Sequence, residues 1–431
     1  MRAFALVIVA IALAAATIAQ RSGAVAAQPG GATEASPMLG ISYRSAGGAL
    51  AWFDPRLLRT LPGRKAPLGG NFGSWSFSAD RSIFAIASCG DAGNRPIRFV
   101  NARAMRVLGD LRVAPSADCL RSLTWLRPRR LLVIVDTGVG SSVVVVDPLA
   151  RRVLRRLPLP TAPSAIAATT DELVLLLAEQ ASFAPARVLS IDADGQARTV
   201  TVDHVLAGTV VDESGTRYRA RTIQPGLAAD SSGRRAFLVP ASGSVAEIDL
   251  VTLAVSYHEL DRPSPLGRFL RWFTPAAQAK EIEGPVREAR WLGDGMLAVS
   301  GMDYSLEARS DATEFVQTPA GVRLIDTRSW ESKMLEPQST RFAVAPGLVI
   351  TQGGRWDSGF GPGLHAFGLD GEERWRLYAG EYRWLDAAGS VGYAYTDGVR
   401  TDVVDLETGE LTARGVGSRL PQLLTGQESH W

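Results

Sequence analysis

The sequence predicts an all-β protein folded as a β-propeller of four-stranded blades. Three observations lead to this prediction. The chain of 431 residues is 46% hydrophobic and 21% charged, which suits a folded domain and excludes a disordered tail, a collagen and a multi-span membrane protein. A short β-type run that ends in Asp or Asn recurs along the chain. From the second repeat onward two more β-type runs precede it, and four strands per repeat are typical of propeller blades.

The recurring run ends at eight acidic or amide residues, which we call the anchors. The anchors are Asp54, Asn101, Asp147, Asp192, Asp249, Asp326, Asp370 and Asp405. Successive anchors lie 47, 46, 45, 57, 77, 44 and 35 residues apart. A side-chain oxygen at this position can accept backbone N–H groups of the following turn, so we interpret all eight as turn caps rather than metal ligands.

The number of anchors predicts eight blades, and a ring of seven blades with one irregular unit is the alternative. The first unit has β-type runs at residues 39–43, 50–54 and 57–61 but lacks a first strand. We expect residues 420–424 to supply that strand, so that both ends of the chain share one sheet and the C-terminal strand closes the ring.

Aromatic residues lie near the end of the first strand in several units, at Phe77, Trp125, Trp291 and Trp384. We expect these side chains to pack between neighbouring blades, as core residues rather than as a ligand cage.

Two repeats carry a resemblance to a known superfamily. Residues 322–330 (VRLIDTRSW) and 403–409 (VVDLETG) approximate the pattern V-x-x-I-D-x-x-T/G, and the repeats span nearly the whole chain after the N-terminal segment. They resemble the units of the YVTN/WD40-like (quinoprotein-like) β-propeller superfamily. Residues 366–375 are also similar to the repeat of pyrroloquinoline-quinone-type propellers. These motifs specify blade geometry, so the resemblance implies the fold and carries over no catalytic residue.

The N-terminus has the pattern of a secretory signal. Met1 and Arg2 precede an apolar stretch, residues 3–19, in which only Thr17 is polar, and small residues follow at 24–27. We expect cleavage after Ala27, with cleavage after Ala26 as the next choice and an uncleaved anchor helix as the alternative. The predicted organisation is a signal peptide at residues 1–27, a flexible leader at 28–37 and a single propeller at 38–431. The protein is therefore expected in the cell envelope or secreted.

The charge balance restricts the partners. Removal of residues 1–27 would leave 44 basic and 44 acidic side chains. A net charge of zero argues against a nucleic-acid partner. We expect a monomer, and contact with a membrane only if the N-terminal segment stays uncleaved. No metal site and no cofactor are predicted, because the common catalytic and nucleotide-binding motifs are absent.

The two cysteines, Cys89 and Cys119, fall in connections of neighbouring units. In an exported protein with two cysteines a disulfide is expected between them. Two buried free thiols are the alternative.

The long connections all belong to one end of the ring. Connections between second and third strands, and from a fourth strand to the next blade, leave at the same end, which we call the loop-bearing face. All long insertions lie there, at residues 203–225, 261–285, 300–320 and 353–363. The opposite end, the plain face, has short turns throughout. Since long loops on a rigid scaffold often carry binding residues, we expect the ligand at the loop-bearing face.

Two features of the insertions predict local structure. Residues 212–215 carry a hairpin signal, and residues 265–280 read as two short helices separated by Pro275.

Candidate binding residues fall into two groups. Five open first strands at the channel mouth, where the arginines could form an anion-binding site: Ser74, Arg121, Arg287, Arg341 and Arg383. The others lie in or beside polar and aromatic loops: Tyr304, Arg355, Trp356, Asp357 and His365. No residue is predicted to be catalytic.

Three functions remain open at this point. We favour an exported, non-catalytic propeller that binds a protein, peptide or glycan through its loop-bearing face. A propeller enzyme, such as a lactonase-like hydrolase or a quinone-dependent dehydrogenase, is the first alternative. A structural module of the cell envelope is the second, since a fold by itself does not fix a function.

Overall fold

The computed structural model describes most of the chain after the N-terminal segment. The described residues are 37–44, 47–69, 72–88, 96–113, 119–127, 130–137, 140–212, 219–260, 282–308, 313–353, 361–378, 382, 384–396, 400–415 and 422–423. The chain divides into two units, Met1–Ser36 and Pro37–Trp431. The predicted signal peptide, most of the predicted leader and the short helices predicted at residues 265–280 lie outside the described residues.

The propeller prediction is confirmed. The regular elements among the described residues are strands, with no helix, and they form eight sheets. Within each blade, neighbouring strands are antiparallel and pair in chain order, except that the last strand of the chain pairs with the first strand in one sheet. The first strands of several neighbouring blades contact each other, which places them at the inner side of the ring. The ring therefore has eight four-stranded blades, and the seven-bladed alternative is wrong.

The first four blades contain strands β1 to β17. Blade 1 consists of β1 (Met38–Arg44), β2 (Gly47–Phe53), β3 (Ala66–Gly69) and the C-terminal β35 (Gln422–Leu423). Blade 2 consists of β4 (Phe72–Phe77), β5 (Ile83–Ser88), β6 (Pro96–Asn101) and β7 (Arg106–Arg112). Blade 3 consists of β8 (Cys119–Arg127), β9 (Arg130–Thr137), β10 (Gly140–Asp147) and β11 (Arg152–Leu159). Blade 4 consists of β12 (Pro163–Ala168), β13 (Glu172–Leu177), β15 (Ser182–Asp192) and β16 (Ala197–Asp212), with β14 (Glu179–Gln180) and β17 (Arg219–Ile223) added to β16.

The last four blades contain strands β18 to β34. Blade 5 consists of β18 (Gly226–Ala229), β19 (Arg235–Val239), β20 (Val245–Asp249) and β21 (Val255–His258). Blade 6 consists of β22 (Ile282–Gly293), β23 (Met296–Ala308), β25 (Val322–Asp326) and β26 (Ser332–Glu336), with β24 (Thr313–Pro319) added to β23. Blade 7 consists of β27 (Arg341–Ala345), β28 (Leu348–Gln352), β29 (Gly363–Gly368) and β30 (Glu373–Tyr378). Blade 8 consists of β31 (Trp384–Ala388), β32 (Val391–Tyr395), β33 (Thr401–Asp405) and β34 (Leu411–Ala413).

The hydrophobic core lies between the blades. Each blade is covered on both faces by its neighbours, so its central strands are apolar on both sides, as in β10, where residues 143–146 are all valine and fully buried. Eight clusters of buried side chains occupy the eight junctions between adjacent blades. The junction of blades 8 and 1 has the smallest cluster among the described residues: Leu58, Tyr393 and Val403.

All eight anchors cap turns, as predicted. The side-chain oxygen of each accepts at least one backbone N–H two to four residues later in the chain. Asp54, for example, accepts from Arg56 and Leu57 at 2.8 and 3.0 Å. The repeat in the sequence is therefore a repeat of this turn between the third and fourth strands.

Two strand predictions were wrong in detail. Residues 57–61 do not form the last strand of blade 1, since Leu58 has a left-handed backbone (φ 51°) within the turn capped by Asp54, and the strand is instead β3. Trp384 begins β31 rather than lying near its end, so it is not equivalent to Trp125 and Trp291.

The C-terminal segment contacts blade 1. Gly40 and Ile41 of β1 pair antiparallel with Leu423 and Gln422 of β35. The other residues of the 420–424 segment lie outside the described residues, so closure of the ring by this segment stays a prediction.

Candidate binding face

Two insertions extend strands beyond the blades at the loop-bearing face. β16 and β17 pair from Gly208 with Ile223 to Asp212 with Arg219, so the structure shows the two strands of the predicted hairpin, while its turn lies outside the described residues. β23 and β24 pair from Met302 to Ala308 in the same way. The second insertion was expected as a polar loop, and the structure corrects this, because the chain continues the pairing of β23 beyond blade 6.

The two hairpins are joined although blade 5 separates them along the chain. Gln224, directly after β17, makes a parallel bridge to Val286 of β22. The N–H of Gln224 donates to the carbonyl of Pro285 at 2.9 Å, and its carbonyl accepts from the N–H of Arg287 at 2.8 Å. We call the joined structure the crest, defined as residues 206–212, 219–224, 282–287, 301–308 and 313–319.

A glycine permits the close approach of the two parts of the crest. Gly284 has φ +115°, and a Cβ there would lie 1.7 Å from the carbonyl oxygen of Thr222. Any other residue would push β17 away from β22. Across the hairpin, the hydroxyl groups of Thr209 and Thr222 lie 3.1 Å apart and form a hydrogen bond.

An ion pair links β22 to β23 at the base of the crest. The guanidinium Nη1 of Arg287 lies 2.7 Å from Oδ1 of Asp303, and it also donates to the carbonyls of Val286 and Met302. The Arg287 side chain is only 10% exposed, whereas Asp303 is about half-exposed. Arg287 lies in the middle of β22 and does not begin the strand, which corrects the expectation. Its charge is matched by Asp303 within the fold.

The other predicted channel-mouth residues have different surroundings. The hydroxyl of Ser74 donates to the carbonyls of Leu120 and Arg121, at 3.0 and 2.7 Å, and so links the first strands of blades 2 and 3. Arg121 forms an ion pair with Asp136 at 3.5 Å. Arg341 is exposed at the start of β27. Arg383 lies outside the described residues.

The second group of predicted residues is only partly placed. Tyr304 lies on β23 rather than in a loop, opposite Gly284 on one side and Gln317 on the other. It therefore belongs to the crest. Arg355, Trp356 and Asp357 lie outside the described residues.

Sequence reasoning missed two exposed side chains of the crest. Leu206 is 49% exposed although it is apolar, and Arg221 is exposed on β17. Both fall inside the predicted 203–225 insertion. The hairpin signal marks this segment, but it does not show which of its side chains face solvent.

His365 lies in a largely buried polar cluster at the junction of blades 6 and 7. Its Nδ1 is 3.8 Å from Glu336 and 3.7 Å from Glu373, and Nε2 is 3.1 Å from the carbonyl oxygen of Pro362. Arg376 donates two hydrogen bonds to Glu373, at 2.6 and 2.7 Å, and holds the pKa of that carboxyl below its ordinary value. The arrangement fixes the imidazole ring between two blades.

The structure describes only one of the two cysteines. Cys119 is the first residue of β8 and lies opposite Asp136 of β9, whereas Cys89 lies outside the described residues. The disulfide stays a prediction.

Two general features of the described residues bear on the chemistry of the protein. No group of three or more His, Cys, Asp or Glu side chains among them could hold a metal ion. The same part of the chain contains no helix long and apolar enough to cross a bilayer.

The fold is similar to that of several solved proteins, although no family model and no characterised protein matches the sequence. A dihydro-heme d1 dehydrogenase, NirN, in complex with DHE aligns over 89% of this chain and 73% of its own, with 13% identity and a TM-score of 0.53. BamB from Moraxella catarrhalis aligns over 90% of this chain and 89% of its own, with 11% identity and a TM-score of 0.43. At such identities the likeness concerns the fold alone. The chain is an eight-bladed β-propeller, the fold that its repeats predict.

Proposed function

We propose that the protein is an exported, non-catalytic module that binds an extended segment of a protein partner at the crest. The observation that carries the proposal is the edge of β24. Among the described strands β24 pairs with β23 alone, so its second edge presents unpaired backbone groups over seven residues. Proteins usually shorten or cover such an edge, and strand addition is a common way of binding an extended peptide.

The crest suits this role because its geometry is fixed from within. The Gln224–Val286 bridge and the Arg287–Asp303 ion pair join the hairpins to each other and to blade 6. A preorganised edge loses little conformational entropy when a partner strand pairs with it. The exposed Leu206 and Arg221 would add side-chain contacts on the same face.

The alternation of hydrogen bonds in an antiparallel pair identifies the backbone groups that a partner would use. The N–H of Ala320 donates to the carbonyl of Gly301, so residues at even positions of β24 bond to β23. The N–H of Gln317 consequently faces the open edge. Gln317→Pro removes this donor, whereas Gln317→Ala keeps it.

Site-specific photo-crosslinking in the native host tests the proposal. A photoreactive residue at Thr318 should give a protein adduct, and Gln317→Pro should remove it while Gln317→Ala retains it. The same probe at the exposed Tyr378 of β30 is the control and should give no such adduct. Adducts that survive Gln317→Pro, or that carry glycan instead of peptide, would contradict strand addition.

Export and the absence of catalysis have their own tests. Mass spectrometry of the protein isolated from its host should find Gln28 at the N-terminus, and an intact N-terminal segment would favour the structural envelope module. A stoichiometric metal or quinone in the purified protein would favour the enzyme.

A further inference from the structure

The charges of the chain are divided between two arcs of the ring. Residues 38–160, which form blades 1 to 3 apart from the short C-terminal strand, contain 19 basic and 7 acidic residues and no glutamate. Residues 161–431 contain 25 basic and 36 acidic residues. A net charge near zero therefore hides a strongly basic arc of three neighbouring blades, which we call the basic arc, and an acidic remainder.

The basic residues recur at one position of the anchor turn. The fifth residue after the anchor is arginine in each blade of the basic arc, at Arg59, Arg106 and Arg152. The corresponding residues of blades 4 to 8 are Ala197, Ala254, Glu331, Trp375 and Glu410. All three arginines are exposed, and none forms an ion pair with a described residue. Their charges are consequently available to a partner.

These turns lie side by side on the plain face. The guanidinium of Arg151, in the turn of blade 3, donates to the carbonyl of Leu108 in blade 2 at 2.9 Å. Met105, in the turn of blade 2, packs in the core cluster shared with Ala66 of blade 1. Each turn therefore rests on the preceding blade, and the three form one continuous rigid surface.

Apolar side chains are exposed in two of these turns and in the strand that follows one of them. Leu57 in blade 1 is 42% exposed and Leu149 in blade 3 is 53% exposed. Val153 and Leu154 of β11, beside Arg152, are 40% and 39% exposed. Four of the eight exposed large hydrophobic residues in the described part of the chain thus lie in the basic arc.

We propose that the plain face of the basic arc docks on an anionic lipid surface, with arginines on lipid phosphates and Leu57 and Leu149 in the interface. Basic side chains interspersed with projecting apolar ones are the composition of a surface that lies on an anionic membrane. Leu57 and Leu149 stand on two separate exposed turns, which suits a fluid surface better than the shaped pocket of a protein. The acidic blades would be repelled and so orient the ring.

This docking surface is independent of the crest. It lies on the opposite face of the ring, so a docked molecule would present its loop-bearing face away from the lipid. It also departs from the expectation that membrane contact requires an uncleaved N-terminus, because the basic arc lies wholly within residues 38–160.

Co-sedimentation with vesicles tests the proposal on the chain purified without residues 1–27. Vesicles of phosphatidylcholine mixed with phosphatidylglycerol should bind the protein, those of phosphatidylcholine alone should not, and added salt should weaken binding. The triple variant Arg59→Glu, Arg106→Glu, Arg152→Glu should bind on the order of a hundredfold more weakly or worse, since each basic residue near the surface contributes roughly 1 kcal/mol. Leu57→Ser with Leu149→Ser should weaken binding without changing the charge.

A matched variant distinguishes binding through the basic arc from an effect of the net charge of the protein. Arg234→Glu, Arg328→Glu, Arg414→Glu reverses the same number of exposed charges outside the basic arc and should bind like the wild type. All variants are checked for an unchanged unfolding temperature. Equal loss in both triple variants, undiminished binding of the basic-arc variant or no binding of the wild type would overturn the proposal. Salt-sensitive self-association in sedimentation, without vesicle binding, would assign the basic arc to a second copy instead.

Discussion

The indole N–H of Trp375 in blade 7 donates a hydrogen bond to the backbone carbonyl of Leu406 in blade 8, across 2.7 Å. Leu406 follows the anchor Asp405, so the contact fixes an anchor turn to the preceding blade. Residues four positions after an anchor have left-handed backbones in six blades: Leu58, Met105, Arg151, Leu253, Trp330 and Gly409. Several of them touch the preceding blade, as when Trp330 stacks on His258 with ring centroids 3.7 Å apart. The anchor turn is thus also the joint between blades.

Gly409→Ala should destabilise the protein by about 2–3 kcal/mol, because it adds both a left-handed alanine and a clash. A Cβ at Gly409 (φ +74°) would lie 2.5 Å from Cγ of Trp375. Gly389→Ala is the control, since Gly389 has φ +61° with no atom within 4 Å of the added Cβ. It should cost about 1 kcal/mol, the conformational part alone. Urea unfolding measures both, and equal losses would contradict the packing of Trp375 on this turn.

Tyr393→Phe should weaken the junction of blades 8 and 1. The Tyr393 hydroxyl is buried and donates to the carbonyl of Pro55 at 2.9 Å, so its removal should cost about 1 kcal/mol. Tyr395→Phe is the matched control, because the hydroxyl of Tyr395 donates to the exposed Asp386 within blade 8. Thermal unfolding should show the larger decrease for Tyr393→Phe. The reverse order would mean that the Pro55 contact adds nothing to ring closure.

Asp303→Ala should destabilise the crest by about 1–3 kcal/mol, since it leaves the charge of the largely buried Arg287 without its partner. Glu288→Ala, on the same strand, removes an ion pair with Arg290 at 3.8 Å between two partly exposed side chains, and should cost about 0.5 kcal/mol or less. Chemical unfolding gives the free energies, and hydrogen exchange at Gln224 should increase only for Asp303→Ala. Unchanged exchange there would separate the ion pair from the bridge between hairpins.

Acid should destabilise the protein partly through Asp80. Hydrogen bonds from the hydroxyl of Ser78 and from the backbone and hydroxyl of Ser82 lower the pKa of Asp80 from 3.8 to about 2. A carboxyl with a lowered pKa stabilises the folded state above pH 3.8, and this contribution is lost as the pH falls to about 2.

Asp80→Asn tests this dependence. The variant should be less stable than the wild type at neutral pH, and the difference should shrink as the pH falls from about 4 to about 2. Urea midpoints measured across this range check the prediction. A difference that stays constant with pH would show that the hydrogen bonds do not depend on the charge of Asp80.

The repeat could be predicted from the sequence because one local interaction recurs. An anchor such as Asp147 caps its turn through atoms only two or three residues away, so the signal survives without knowledge of the fold. The apolar runs before each anchor reflect blades covered on both faces. The number of blades and the face that bears the insertions follow from these two patterns.

The features that sequence reasoning missed depend on contacts between distant residues. The bridge between Gln224 and Val286 has no pattern in either segment, and the partner of Arg287 is known only once β22 and β23 are aligned. The apolar neighbours of Leu58 suggest a strand, whereas its left-handed backbone places it in a turn. The basic arc does not appear in the net charge of the chain, because the acidic residues of the other blades balance it.

The small core between blades 8 and 1 gives the ring a preferred place to open. Every other junction in the described part of the chain buries more apolar side chains than Leu58, Tyr393 and Val403. Partial separation at this junction would expose the edge of blade 1 at a small cost in free energy. Blades 4 to 6, which the crest holds together, would stay in contact. Slow fluctuations and early proteolysis would then concentrate at the junction of blades 8 and 1, and the lifetime of the native ring would depend on that junction.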